Sequence, residues 1–313
     1  MSKAAPANAM RGIAYKVLAV TVFMAMAICI KATAQHVPPG EAVFFRSFFA
    51  LPVIVGWLAY SGDLRQGLVT KDPMGHVWRG LVGTTAMGLG FTALGLLPLP
   101  EATAIGYAAP LLTVIFAAMF LGETVRMFRL TAVIIGLVGV VIVLSPRMTI
   151  SSMESASKLE TIGAFAALLG AVFVALAQVF VRRLVQTEST AAIVFYFSLT
   201  ATVLSLFTIP FGWVMPTPQE AALLVSAGLL GGMGQILLTE SYRHAETGVI
   251  APFEYVSMIL SLTAGYFLFA EIPTQRMLIG AGLVVCAGLF IIWRERQLGI
   301  KRAGARRNIT PQG

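Results

Sequence analysis

Apolar residues fill almost the whole chain from Gly12 to Trp293, broken at short intervals by clusters of proline, glycine and charge. Each run approaches the ~20 residues that a helix needs to cross a bilayer. The pattern predicts ten spans, at Gly12–Thr33, Ala42–Tyr60, Gly80–Leu97, Ala102–Leu121, Leu130–Leu144, Ile162–Val181, Ala191–Phe211, Ala221–Ser241, Gly248–Ala270 and Met277–Trp293. Turn residues separate them at Pro38-Pro39-Gly40, Pro98-Leu99-Pro100, Pro216-Thr217-Pro218 and Ile272-Pro273. In lipid every backbone polar group must be satisfied internally, so such runs are helices or barrel strands. Barrel strands are about half as long and alternate in polarity. The expected fold class is therefore an all-α membrane protein of ten transmembrane helices.

Composition sharpens this picture. Of the 313 residues, 58% are hydrophobic and 12% charged, against roughly half and a quarter in soluble domains. The first run lacks a small-residue cleavage site and reads as a retained span, not a signal peptide. The net charge of +8 is explained by loop sorting, with no role for nucleic acid. Alternate loops and the tail hold Arg11, Arg65, Lys71, Arg79, Arg126, Arg129, Arg182, Arg183, Arg243 and the bases after Trp293. The other loops hold only Arg147, Lys158 and Arg276. By the positive-inside rule both termini are cytoplasmic. Cys29 and Cys286 fall inside spans and read as small buried hydrophobes. His36, His76 and His244 are expected in connections. No metal, cofactor or nucleophile–base spacing stands out, which makes an intramembrane enzyme the distant alternative.

A weak internal repeat is visible. Gly80-Leu81-Val82-Gly83 matches Gly228-Leu229-Leu230-Gly231, and at the same offset Tyr107 matches Tyr255 and Glu123 matches Glu271. Five spans followed by five place the second half upside down relative to the first. Two inverted five-helix repeats, 11–146 and 160–294, followed by a basic cytoplasmic tail at 295–313, are thus expected. Many secondary transporters are built this way, with the site at the midplane and alternating access between the halves.

Charged and polar groups inside spans are costly and mark candidate sites. Glu254 and Tyr255 follow Pro252, which removes a backbone donor and bends the helix. A carboxylate there can bind a cationic small-molecule substrate, take up a coupling proton, or simply bond to a neighbouring helix. Pro110 marks a second helix break. Arg46 reads as a helix-to-helix tether, a contact for an anionic substrate group, or a snorkelling side chain. Gln178 and Gln235 are interhelical glue or substrate contacts, and Tyr107 and Tyr196 are the aromatics placed to line a cavity. Lys16 and Lys31, at the two ends of the first span, read as snorkelling to the interfaces.

Several stretches together resemble the ten-helix EamA-type branch of the drug/metabolite transporter superfamily. They are Phe45-Arg46, Leu97-Pro98-Leu99-Pro100-Glu101-Ala102-Thr103-Ala104, Pro110, Leu121-Gly122-Glu123, Ala251-Pro252-Phe253-Glu254-Tyr255 and Phe269-Ala270-Glu271. The likeness covers about Arg11 to Arg294. It implies a secondary transporter in a bacterial inner membrane, with the lipid bilayer and a small metabolite as partners. The Ala-Pro-Phe-Glu-Tyr stretch resembles members that take up riboflavin or S-adenosylmethionine, with riboflavin the leading expectation for the cargo. The alternatives are S-adenosylmethionine uptake and amino-acid or drug export. Ala270 departs from the family's glycine before the terminal Glu, a change expected to matter little.

Overall fold

The computed structural model describes residues 6–60, 62, 67–121, 127–145, 155–185, 187–245 and 247–307. Gly122 and Glu123 of the expected Leu-Gly-Glu motif lie outside them, as do Arg65, Arg126 and Arg147. The described residues form helices joined by short connections: α1 (Pro6–Thr33), α2 (Pro39–Phe48), α3 (Ala50–Tyr60), α4 (Pro73–Leu96), α5 (Leu99–Gly106), α6 (Ala108–Leu121) and α7 (Met127–Leu144). They continue as α8 (Ser155–Leu184), α9 (Thr190–Leu206), α10 (Pro218–His244), α11 (Thr247–Ile250), α12 (Val256–Phe269) and α13 (Gln275–Arg307). A 3₁₀ segment at Ala251–Tyr255 joins α11 to α12.

Among the described residues, eight segments are long and apolar enough to cross a membrane. The two further expected spans are α4 and the 17-residue α9. α4 begins earlier than its apolar run because Asp72 accepts the Gly75 amide at 2.9 Å and Pro73 pre-sets the first turn. That start brings His76 and Arg79 into the helix and lowers its hydropathy. Such a helix is tolerable in a membrane because α4 packs on α8, α9 and α2, so its polar side chains need not meet lipid. His76, expected in a connection, is instead buried in the first turn of α4.

Small residues draw the helices together. α1 and α10 run antiparallel: a Cβ at Gly12 would meet Ala245, and one at Gly234 would meet the Phe23 ring. α7 and α13 cross at Gly139 and Gly280, each facing the other's backbone carbonyl. α12 ends on Ala270 at φ 52°, the one non-glycine residue with positive φ among those described. The Ala270 cap amide bonds to the Gly265 carbonyl, as does the Glu271 amide at 2.9 Å. A Cβ in this left-handed conformation costs ~1–2 kcal/mol. The exchange of glycine for alanine is therefore not as neutral as its chemistry suggests. Ala270→Gly should stabilise the protein by about 1 kcal/mol, read as a raised unfolding midpoint; an unchanged or lowered midpoint contradicts this.

Candidate functional site

Three long apolar segments are broken among the described residues; α2 and α3 part at Phe49, and the other two breaks bear on the site. The first of these two lies at Tyr107, a turn residue between α5 and α6, with Pro110 in the first turn of α6. The second lies at the 3₁₀ segment containing Pro252, Glu254 and Tyr255. Proline supplies no amide, so neither helix can run through with a full ladder. The two breaks meet. The Tyr107 and Tyr255 rings stand edge to face at 5.1 Å. Ser257 donates to the Glu254 carbonyl at 2.6 Å, which leaves its oxygen to accept from the Tyr107 hydroxyl, also at 2.6 Å. Tyr255 fills the space beside Gly288 on α13, where any Cβ would collide with its hydroxyl.

Glu254 pairs with Lys16 of α1. Lys16 is only 3% exposed, and its ammonium lies 5.9 Å from the Tyr242 ring centre. It is not the snorkelling residue that its place near a span end suggests. The Glu254 side chain stays 42% exposed, so one oxygen face is open to an incoming cation. Lys31 is likewise held inside: its ammonium meets Glu271 at 2.9 Å and the carbonyls of Leu94 and Leu97 at 3.2 and 2.6 Å. Glu271 also accepts the Leu99 amide at 2.8 Å, tying the end of α12 to the start of α5.

A second polar centre lies between these ion pairs. Arg46 of α2 and Arg79 of α4 are 2% and 8% exposed. Their guanidinium carbons lie 5.5 and 4.1 Å from the centre of the Phe197 ring on α9. Nε and one terminal nitrogen of each arginine are buried with no hydrogen-bond partner, and among the described residues neither arginine has an ion pair. Glycines make the room: a Cβ at Gly83 would overlap the Arg79 guanidinium, and one at Gly231 would come within 2.8 Å of Arg46 Nε. A buried charge costs several kcal/mol, and a ring face returns only ~0.5–2 kcal/mol. Arg79 was legible in the chain only as a loop charge, although Asp72-Pro73 signalled an earlier helix start.

The other expected site residues are spread out. Gln178 of α8 is half-buried and accepts from Thr113 of α6 at 3.3 Å, an interhelical bond. Gln235 is half-buried on α10, one turn beyond Gly231. Tyr196 does not join Tyr107 and Glu254. Its hydroxyl donates to the Leu68 carbonyl at 2.9 Å and its ring packs 4.9 Å from His76, so it braces a connection. Glu188 supports the same connection by accepting the Lys71 and Asp72 amides at 2.7 and 3.0 Å. Burial pushes its carboxyl up, but those amides and His76 outweigh it and hold the group below the usual carboxylate range.

The EamA-like transporter family matches residues 10–145 and 161–293, and solute carrier family 35 matches residues 104–211. A Rickettsia bellii protein named an S-adenosylmethionine uptake transporter is 31% identical over 262 residues, covering 84% of this chain and 86% of its own. A Pseudomonas aeruginosa protein named a pseudopaline exporter is 30% identical, covering 88% and 94%. One crystal structure superposes with TM-score 0.65 over 92% of this chain and 98% of its own at 23% identity, a likeness of fold. These relatives do not support the riboflavin expectation; they favour its alternative, S-adenosylmethionine uptake. With both halves matched and the helices packed around two broken segments, the chain is a multi-pass membrane transporter and belongs to the EamA-like transporter family.

Proposed function

We propose that this protein takes up S-adenosylmethionine, or a metabolite with the same amino-acid and cationic groups, by alternating access across a bacterial inner membrane. The carrying observation is the meeting of two broken helices at Tyr107, Tyr255 and Glu254, beside relatives of that named activity. A sulfonium or ammonium group can compete with Lys16 for the half-exposed Glu254 carboxylate. A purine can stack on the tyrosine pair.

Ten spans in two inverted repeats, 11–146 and 160–294, complete the reading. The helix packing supports it. α1 packs on α10 as α8 packs on α4, the first span of each half against the third of the other. α7 pairs with α13, and α5 with α12. Glu41, at the start of α2, accepts the Val214 amide of the connection before α10 at 3.0 Å. Glu188, just before α9, does the same for the connection before α4. Loop charge supports cytoplasmic termini, with the tail from residue 295 on that side. Lys16–Glu254 then lies toward the cytoplasm and Lys31–Glu271 toward the outside, and release of one pair at a time would open one face at a time.

Proteoliposomes given labelled S-adenosylmethionine or riboflavin should accumulate the first well above empty vesicles and not the second. Uptake of riboflavin alone contradicts the reading.

A further inference from the structure

We infer that Arg46, Arg79 and Phe197 form a binding site for the carboxylate of the cargo. The inference rests on the reading of the protein as a carrier of an amino-acid-bearing metabolite. Two guanidiniums lie against one ring, both are almost wholly buried, and neither has an ion pair among the described residues. Buried charges are normally paired. The ring offsets only part of their dehydration and supplies no hydrogen-bond acceptor for the orphaned Nε and terminal nitrogens. An anion whose oxygens accept from N–H groups would satisfy those nitrogens, and a carboxylate fits the planar fork of a guanidinium in two places at once.

The location suits a transport site. Arg46 is on the eighth residue of α2 and Arg79 on the seventh of α4, helices that begin at opposite ends of the bundle. At 1.5 Å per residue each guanidinium-bearing turn lies ~10 Å from its own end. In a hydrocarbon core ~30 Å thick that leaves each turn ~5 Å short of the midplane, on opposite sides of it, a gap that two long arginine side chains can span. Gly83 and Gly231 keep side chains out of the space around the pair, and Met26 of α1 lies against Gly231. The same α1 helix carries Lys16 toward one end and Lys31 toward the other. An amphoteric cargo would thus find its anion partner at mid-depth and its cation partner at Glu254.

A purified protein tests this by its unfolding midpoint in sodium propionate, sodium phosphate or sodium chloride at equal ionic strength. Propionate should raise the midpoint of the wild type by on the order of 2–4 °C over chloride near saturation, because it binds only the folded protein. S-adenosylmethionine should do so too, and its decarboxylated analogue should not. In Arg79→Met the propionate response should vanish while the midpoint without ligand is equal or higher, since an unpaired buried charge has gone. Gly83→Ala, which displaces the Arg79 guanidinium and keeps both charges, should also lose the response. Arg276→Gln, at an exposed helix start, should keep it. A lowered unliganded midpoint in Arg79→Met makes the arginine a structural tether and overturns the inference. So does a propionate response equal to chloride in the wild type, or a larger phosphate response that Arg79→Met abolishes, since phosphate also stabilises proteins without binding. Failure of S-adenosylmethionine uptake alongside an intact, Arg79-dependent propionate response would leave this site standing and overturn only the cargo.

Discussion

Glu254→Gln should abolish S-adenosylmethionine uptake while the protein still reaches the membrane. The substitution removes the carboxylate carried by the 3₁₀ segment between α11 and α12 and strands the Lys16 ammonium in the protein interior. If the lost contact contributes ~3 kcal/mol to cargo binding, uptake falls roughly a hundredfold. Stability falls as well. Breaking a buried pair costs ~3–5 kcal/mol, and the exposure of Glu254 reduces that figure because water screens part of the attraction. The two effects separate in a cycle. Lys16→Met with Glu254→Gln removes both charges and should recover most of the unfolding midpoint, but not transport. Recovery of transport in the double variant would show that Glu254 serves only to neutralise Lys16. Loss of accumulation with exchange retained would instead give the carboxylate a role in proton coupling.

The second large effect lies far from the charges. Gly280→Val should destabilise the protein by ~1–3 kcal/mol or more and reduce the yield of folded carrier. Any Cβ at 280 lies 2.5 Å from the Gly139 carbonyl oxygen and 3.0 Å from the Val143 amide. Both are backbone atoms, so α7 and α13 can only move apart. In a bilayer, where no hydrophobic drive rejoins helices, close packing of small residues carries their association. Gly282, two residues on, has nothing within 4 Å of its own Cβ position. Gly282→Val is therefore the matched control and should be nearly neutral in the same melting experiment. Equal losses in both variants would mean that the crossing at Gly139 is not what holds this pair.

The chain announced much of this architecture. Lipid permits few backbone structures, so hydropathy located most of the helices, and turn prolines marked several of their ends. It could not tell depth within the bundle. Lys16 and Lys31 sit near the ends of one apolar run, where long side chains usually reach water. Here partners from α12 and its flanking segments hold them inside. Arg79 lies before its apolar run yet inside its helix, because Asp72 and Pro73 start the helix earlier. Tyr196 had the right chemistry and the wrong neighbours, since the 67–72 connection folds back onto it. Ser257 carried no signal at all: a hydroxyl in a helix gains meaning only when a Tyr107 reaches it from elsewhere in the chain. Pairings of this kind are long-range facts, and a periodic pattern reports only local ones.

In the proposed cycle one amphoteric metabolite moves through a site reached from one face at a time. Counterflow tests it most directly. Proteoliposomes preloaded with unlabelled S-adenosylmethionine should take up the labelled compound faster, and to a transient overshoot, than unloaded vesicles. Excess external S-adenosylmethionine should saturate that exchange. Uptake that neither saturates nor responds to internal cargo would contradict alternating access in this protein.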